Sequence, residues 1–243
     1  MSSSGNDASL GRPPVCILLS IYNGAAFLDG LLHSLQGQTY TNWRLVWRDD
    51  GSRDESRQIL HRFARTLPEG RCWEVSQGER HLGVARSFTL LLEHVPPGYF
   101  AAFCDQDDVW FPDKLERGIT ALASACAPPV PALYCSRQML TDSGLKRLGN
   151  SPLLPENPSF LMALTQNIAT GCTIILSSTA VRLVRAGSPP PDATLHDWWS
   201  YLLVSGAGVI VVTDNVASLY YRQHKGNTVG ASTPFAARAL AAL

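Results

Sequence analysis

The sequence predicts an α/β domain with a largely parallel sheet that helices cover on both faces. Short apolar runs alternate along the first half with stretches of helical periodicity, which is the pattern of consecutive strand–helix units. The chain has 243 residues, enough for one large domain of this class or two small ones. Because the sequence shows no internal repeat, one continuous domain with an irregular C-terminal part fits best.

Strands and helices alternate strictly in the first half of the chain. The strands are short and apolar, and they are predicted at 15–20, 43–47, 72–76 and 99–104. The helices that follow them are predicted at 26–36, 54–65, 84–95 and 112–125. Pro112 opens the last helix, at a position where its missing N–H leaves no hydrogen bond unmade.

The second half is less regular. Four further strands are predicted, the last two paired with each other, at 132–136, 171–177, 209–213 and 217–222. A helix is predicted at 197–208, and a Pro/Gly/Ser-rich loop at 137–158 and a stiff connector at 188–194 separate these elements. The domain is expected over 14–230, between a disordered tail at 1–13 and a C-terminal tail or short helix at 231–243.

Composition argues against several classes of function. Lys plus Arg equals Asp plus Glu at 20 each, and this balance argues against general nucleic-acid binding. The six cysteines are scattered without a C-x-x-C pair, which predicts a reduced, cytosolic protein without a zinc site or disulfide framework. The first residues lack the apolar core of a signal peptide, and no apolar run approaches the roughly 18 residues that span a bilayer. Any membrane contact is therefore expected to be peripheral.

Acidic side chains follow the second and fourth predicted strands. "WRDDGSRDES" places Asp49 and Asp50 after the second strand, and "FCDQDDVWFPDKL" places Asp105, Asp107 and Asp108 after the fourth. Ligands of parallel sheets bind at the carboxyl ends of the strands, where an acidic residue commonly holds a ribose hydroxyl or a base N–H. A D-x-D-D run also supplies the oxygen ligands that a hard divalent cation shares with a phosphate-bearing substrate.

Both acidic runs also have a structural interpretation. Asp54 suffices to cap the next helix, which leaves Asp49 and Asp50 unexplained. An isolated D-x-D-D run is more often a solvated loop, and Asp113 is ordinary chemistry of a first helical turn. Two acidic strand ends at one edge favour a ligand-binding role for Asp105 and Asp107, and the role of Asp108 stays open.

Asp197 in "HDWW" begins the late helix and has two compatible interpretations. It is either an N-cap beside core tryptophans or a general base that the helix N-terminus keeps ionised. The general-base interpretation requires that its carboxylate reach a hydroxyl group of the substrate.

A basic cluster follows the last predicted strand. "YYRQHKGNTVG" brings together Arg222, His224 and Lys225 before a loop that contains Gly226 and Gly230. Such a cluster is able to hold a diphosphate, and it is equally compatible with a solvated turn. The other histidines lack ligand spacing and are expected to be structural or exposed: His33, His61, His81 and His94.

Three activities lack their sequence signatures. "SIYNGAAF" after the first strand is not G-x-G-x-x-G, which argues against a Rossmann dehydrogenase. The same stretch contains neither Lys nor Arg, which disfavours a nucleotidyltransferase. No G-x-S-x-G elbow supports a hydrolase that uses Ser20 or a cysteine.

Seven motifs in this order resemble glycosyltransferase family 2. They are "LLSIYNGAAFLDGLLHSLQGQTY", "WRDDGSRDES", "HLGVARSF", "FCDQDDVWFPDKL", "TGCTIILS", "HDWW" and "YRQHKGNTVG", spread over residues 14–230. More narrowly, "HDWW" and "YRQH" are similar to bacterial rhamnosyltransferase-type members, which act in O-antigen and cell-surface polysaccharide assembly. The resemblance implies a GT-A fold and an inverting, metal-dependent transfer from a nucleotide-diphosphate sugar.

The resemblance also implies a role for each site residue. Asp50 meets the pyrimidine base, Asp105 and Asp107 flank the ribose and the diphosphate, and Asp197 is the general base. Mg²⁺ or Mn²⁺ is held by Asp107 with help from Asp105. The full donor-binding set is Ser20, Tyr22, Asn23, Asp50, Arg86, Asp105, Gln106, Arg222 and His224. The acceptor-side residues are Gly171 and Trp198.

The implied donor is dTDP-rhamnose first and a UDP-sugar second, and the acceptor is a saccharide, with a lipid-linked saccharide included. The expected location is the cytoplasm, the inner face of the membrane included. Only "ASTPFAARALAAL" follows the last motif, and many relatives extend further, so part of the acceptor or membrane-docking surface is expected to be absent. A catalytically silent nucleotide-sugar-binding module and a nucleotidyltransferase remain as alternatives.

Overall fold

The computed structural model describes residues 12–76, 81–125, 130–191 and 194–224. Several sequence predictions lie outside these ranges. They are Cys126, the loop with Lys225, Gly226 and Gly230, and the C-terminal tail; most of the N-terminal tail also lies outside.

The described residues form a nine-stranded sheet with the order β3-β2-β1-β4-β8-β6-β9-β5, and β7 pairs with β6. The strands are β1 (Val15–Ile21), β2 (Trp43–Asp49), β3 (Cys72–Glu74), β4 (Phe100–Cys104), β5 (Val109–Trp110), β6 (Ala132–Thr141), β7 (Arg147–Asn150), β8 (Ile175–Leu176) and β9 (Ile210–Arg222). The helices are α1 (Ala25–Gln36), α2 (Ser56–Ala64), α3 (Val84–Glu93), α4 (Lys114–Ala125), α5 (Phe160–Thr165), α6 (Ser178–Ala186) and α7 (His196–Gly206).

The first four strands are parallel, as predicted. In the register, Ile21 of β1 is opposite Asp49 of β2, and Leu19 is opposite Cys104 of β4. The segments that carry the acidic runs therefore leave the sheet at the same edge. The predicted strands and helices through residue 125 are confirmed, with boundaries that move by one to two residues, except that an unpredicted strand, β5, lies between β4 and α4 and pairs with β9.

Helices cover both faces of the sheet and divide the core into two layers. Alternate residues of β1 point to opposite faces: Ile17 and Leu19 pack with α1, α2 and α4, and Cys16 and Leu18 pack with α3, α6 and α7. Both sets of side chains are fully buried. This burial explains why the parallel strands read as continuous apolar runs.

The interpretation of residues 137–158 as a loop is wrong in its first part. β6 continues to Thr141, and β7 folds back on it as an antiparallel partner. The segment 171–177 is not a single strand either, because Gly171–Thr173 forms a 3₁₀ turn before the two-residue β8. Sequence reasoning also missed α5 and α6, whose N-caps are Ser159 and Ser177.

The predicted pair of strands at 209–213 and 217–222 is one strand, β9. Both halves pair in parallel with β6, and the register shifts between Ser136 and Arg137. Arg117 of α4 stabilises the extra residues by donating to the carbonyls of Val216 (2.9 Å) and Ala217 (3.1 Å). The polar stretch that suggested a turn is therefore a bulge, because β6 pairs with both sides of it.

Two of the helices that begin away from the predicted residue have an aspartate of interest next to their first residue, Asp113 and Asp197. α4 begins at Lys114, so Asp113 precedes the first turn and pairs with Arg117 one turn later. α7 begins at His196 after Leu195, so Asp197 lies in the first turn and is not the N-cap. Within the described ranges, no helix combines the length and apolar character needed to cross a bilayer.

Candidate active site

The candidate site lies where β1, β2 and β4 end at one edge of the sheet. The loop after β1 is fixed to the loop after β2 by short-range polar contacts. Asn23, at a positive φ of 49°, donates its amide to Ser52 Oγ (2.9 Å), and its Oδ1 accepts from Arg53 N (2.8 Å). Asp54 accepts from Ala25 N and Ser56 N, both at 3.0 Å. One carboxylate thus holds the starts of both α1 and α2.

Gln106 links the acidic run to the loop after β1. Its Oε1 accepts from Tyr22 N (2.8 Å), and its Nε2 donates to Tyr22 O (3.0 Å). A Cβ on Gly24 would lie 2.3 Å from Gln106 Oε1, so glycine is required for this close approach. The Tyr22 ring is 45% exposed and lies 4.5 Å from the ring of His81. Ser20 lies half-buried in β1, two residues before this contact.

Asp50 is buried and surrounded by donors from its own chain. Arg48 pairs with Oδ1, the amides of Leu82 and Gly83 donate at 2.7 and 2.9 Å, and His81 Nδ1 lies 2.9 Å from Oδ2. Burial alone would raise the pKa of Asp50, but these hydrogen bonds hold it below its ordinary value. Asp50 therefore joins β2 to the start of α3, where Arg86 lies exposed on the first turn.

The acidic run meets the end of β9. His224 Nε2 lies 2.8 Å from Asp107 Oδ2, and the His224 ring stacks on Phe27 with centroids 4.7 Å apart. Arg222 donates from Nε to the Asp107 carbonyl (2.8 Å) and from Nη1 to the Ser143 carbonyl. The structure thus brings the two late basic residues onto the acidic run, although both are remote from it in sequence.

Asp105 and Asp108 lie close to the turn at 171–173. Their carboxylate oxygens and Cys172 Sγ all lie within 4.8 Å of one another. Burial, and then the charges of Asp107 and Asp197, raise the pKa of Asp105. Burial, and then Asp107 and Asp105, raise the pKa of Asp108 well above its ordinary value. Mutual repulsion of this kind favours a cation among the carboxylates.

A buried carboxylate oxygen of Asp108 supports the binding of such a cation. Asp108 is fully buried; its Oδ1 accepts a long bond from Arg222 N (3.4 Å). Its Oδ2 has no hydrogen-bond partner in the part of the chain that the structure describes. Carboxylate oxygens are the ligands that Mg²⁺ and Mn²⁺ prefer, so Asp105 and Asp108 fit a divalent cation. Asp107, which was predicted as the main ligand, lies outside this group, and its Oδ2 is 2.8 Å from His224 Nε2.

Asp197 lies beside the turn that carries Cys172, close enough for its charge to raise the pKa of Asp105. Asp197 Oδ2 accepts from Gly171 N (3.0 Å) and its Oδ1 from Trp198 N (2.6 Å). Burial raises the pKa of Asp197, against the opposing effect of these amides and of the Asn167 side chain. The sequence argument expected the helix N-terminus alone to set the charge, but burial is the larger effect.

The two acceptor-side candidates flank Asp197. Gly171 holds its carboxylate, and a Cβ at Gly171 would lie 3.0 Å from His196 Nε2. Trp198 is half-buried and donates from Nε1 to the Ala163 carbonyl of α5 (2.7 Å). The neighbouring His196 ring stacks on Phe88 at 4.0 Å, and burial lowers its pKa to about 3, which keeps the ring neutral.

The structure gathers most of the predicted site residues around the acidic run. Arg86 lies at the periphery and Asp50 behind the loop at 81–83, and their predicted roles stay predictions. Sequence reasoning missed four residues of this site: His81, Lys114, Asn167 and Cys172. His81, Lys114 and Cys172 lie within the motifs "HLGVARSF", "FCDQDDVWFPDKL" and "TGCTIILS", so the motifs could have pointed to them. Asn167 lies in none of the seven motifs.

Comparison with known proteins gives consistent results. The family described as "Glycosyl transferase family 2" matches residues 16–179. The chain is 25% identical over 231 residues to dTDP-rhamnosyl transferase RfbG of Shigella flexneri, covering 90% of this chain and 76% of RfbG. It is 32% identical to the Escherichia coli UDP-Glc:alpha-D-GlcNAc-diphosphoundecaprenol beta-1,3-glucosyltransferase WfgD, covering 68% of this chain and 60% of WfgD.

Solved structures share the fold at low identity. S. aureus TarS 1–349 in complex with UDP-GlcNAc superimposes with a TM-score of 0.69 and 17% identity, over 91% of this chain and 61% of TarS 1–349. The mannosyltransferase PcManGT from Pyrobaculum calidifontis, in complex with GDP-Man and Mn²⁺, gives 0.65 and 19%, over 90% of this chain and 59% of PcManGT. The predicted GT-A fold is confirmed. The chain spans about three fifths of the length of both solved chains.

Proposed function

Because the chain belongs to glycosyl transferase family 2, we propose that it transfers a sugar from a nucleotide-diphosphate donor to a saccharide acceptor with inversion. The observation that carries this proposal is the position of Asp197. Its charge raises the pKa of Asp105, and Gly171, which holds it, is bonded directly to Cys172 of the acidic cluster. A carboxylate beside a diphosphate-binding cluster is what a single displacement at an anomeric carbon requires.

In this mechanism Asp197 takes the proton of the acceptor hydroxyl. The acceptor oxygen bonds to the anomeric carbon while the bond from that carbon to the diphosphate oxygen breaks, and the nucleoside diphosphate leaves with the electron pair. The amides of Gly171 and Trp198 orient the Asp197 carboxylate. Burial raises its pKa and makes it a stronger base once ionised.

We assign the donor diphosphate and a divalent cation to the acidic run. Asp105 and Asp108, with Asp107 beside them in the run, would hold Mg²⁺ or Mn²⁺, which supplies neutralising charge for the departing diphosphate. His224 and Arg222 lie on the same run and are the residues that would contact the phosphate oxygens. Asp107→Ala is expected to weaken metal-dependent nucleotide binding in calorimetric titration.

We propose dTDP-rhamnose as the first donor and a UDP-sugar as the second. The name of RfbG supports the former, and the UDP-GlcNAc bound by TarS is consistent with the latter. The name of WfgD supports a saccharide on a lipid diphosphate as acceptor, and with it polysaccharide synthesis at the inner face of a membrane.

A thermal-shift screen tests donor binding directly. Nucleotide-diphosphate sugars are added with and without Mn²⁺, and a ligand that binds the folded protein raises the melting temperature. Transfer is then measured with the stabilising donor, in the wild type and in Asp197→Asn. We expect the variant to bind the donor but to lose transfer; near-normal turnover in it would eliminate the base assignment. Donor binding without turnover in the wild type would identify a silent binding module.

A further inference from the structure

Lys114 is a buried cation that the proposed mechanism does not use. It is the first residue of α4, directly after the acidic run, and its side chain is 0% exposed. Its Nζ donates to the Cys172 carbonyl at 2.8 Å and lies 3.5 Å from Ser218 Oγ of β9. The ammonium also lies 4.6 Å from the centre of the Trp110 ring. Lys114 thus contacts a turn, a strand and an aromatic ring that belong to separate parts of the site.

The turn at 171–173 contacts both Asp197 and the acidic run. Gly171 N–H donates to Asp197, and the Cys172 thiol lies with Asp105 and Asp108. Two backbone bonds close the turn on itself, from Thr173 N to Thr170 O (2.8 Å) and from Ile174 N to Gly171 O (2.9 Å). The Cys172 carbonyl points the other way and accepts from Lys114. A shift of this turn would therefore move Asp197 relative to the acidic run.

We infer that Lys114 is a positioning residue that anchors the turn at 171–173 and thereby holds Asp197 at a fixed distance from the carboxylates of the acidic run. The geometry makes this a single chain of contacts: Lys114 Nζ to Cys172 O, then Gly171 N to Asp197 Oδ2. Lys114 does not reach the reacting atoms. Its effect on catalysis is exerted through the placement of the base.

The buried ammonium of Lys114 has partners that offset the cost of its burial. Burying a charge is costly unless it is hydrogen-bonded, and Lys114 Nζ donates to the Cys172 carbonyl and lies near Ser218 Oγ. Removing the lysine would take this donor from the carbonyl of a buried turn, so the bond contributes to holding the turn in place. Placing a reacting group even about 1 Å off its productive geometry is enough to cost roughly a hundredfold in rate.

Hydrogen–deuterium exchange tests the anchoring without any assay of activity. In the wild-type protein the amides of 171–173 are expected to exchange slowly, and fast exchange there would overturn the inference whatever the variants do. Lys114→Met, which has a similar length and volume, is expected to speed exchange at 171–173 by tenfold or more. Lys114→Leu replaces it if the methionine variant does not fold.

The matched control is Ser218→Ala. Ser218 is equally buried and touches the same ammonium, and its hydroxyl is bonded to Ser136 Oγ of β6 (2.6 Å) rather than to the turn. This variant is expected to leave exchange at 171–173 unchanged. Equal acceleration in both variants would indicate general loosening of the core and would contradict a specific anchor.

The kinetic arm rests on the proposed transferase activity. Lys114→Met is expected to lower kcat at least tenfold while the KM for the donor stays within threefold, in assays kept below the melting temperature of the variant. A donor KM that rises with an unchanged kcat would overturn the link to Asp197. Absence of transfer by the wild type would refute the proposed function, and the exchange result would still decide the role of Lys114.

Discussion

The buried pair of Arg48 and Asp50 offers a quantitative test of what holds the second acidic run in place. Asp50→Asn keeps the shape of the side chain and removes its charge. Arg48 and Asp50 are 1% and 4% exposed at their side chains, so solvent cannot replace the lost carboxylate. The substitution also places the side-chain NH₂ of the asparagine, which is a donor, opposite a backbone N–H that is itself a donor, that of Leu82 or that of Gly83.

Asp50→Asn is expected to lower the free energy of unfolding strongly, because the guanidinium of Arg48 stays charged and buried. Removing one partner of a buried ion pair typically destabilises a protein by about 3–5 kcal/mol. Asp49→Asn is the matched control, since Asp49 is half-buried and accepts a bond from Ser52 N at 2.9 Å. Its loss is expected to cost about 0.5–1.5 kcal/mol.

Urea unfolding at pH 7 measures both costs. The pH dependence adds an independent check, because the pKa of Asp50 lies below 3.8 in the folded protein. Its carboxylate stabilises the fold above the unfolded pKa, and this contribution is lost as the pH falls through the folded value. The gap between wild type and Asp50→Asn should therefore shrink on acidification. A loss below about 1 kcal/mol at pH 7, or one equal to that of Asp49→Asn, would refute the reasoning.

Two further predictions concern the base and the loop after β1. Burial raises the pKa of Asp197 above 3.8. We therefore expect kcat to fall on acidification at a higher pH than it would for an exposed aspartate, while circular dichroism shows the fold intact. A kcat that falls only below pH 3.8 would contradict this. Gly24→Ala is expected to displace Gln106 from Tyr22 and cost about 1–2 kcal/mol, for two half-exposed hydrogen bonds. Gln106→Ala removes the obstructing atoms, so adding Gly24→Ala to it should cost almost nothing more; a full additive loss would show that the clash is not the cause.

The regular first half of the fold was predictable because its signals are local. Apolar runs such as "VCILLS" and helical periodicity such as "AFLDGLLHSLQ" each depend on neighbours within a few residues, and the parallel register then follows from their alternation. The second half failed for the opposite reason. β9 reads as two strands around a polar stretch, and only pairing with β6 makes that stretch a bulge.

The sequence by itself determined which carboxylates stand at the strand ends, since parallel strands must present their carboxyl ends at one edge. It also determined, through the order of its motifs, the family to which the chain belongs. Only the tertiary structure decided which groups these segments meet: Asp50 pairs with Arg48 and two amides, Asp107 lies against His224, and a buried Lys114 donates to the turn beside Asp105. Burial depth and contacts between distant segments set these interactions, and neither is encoded in local spacing.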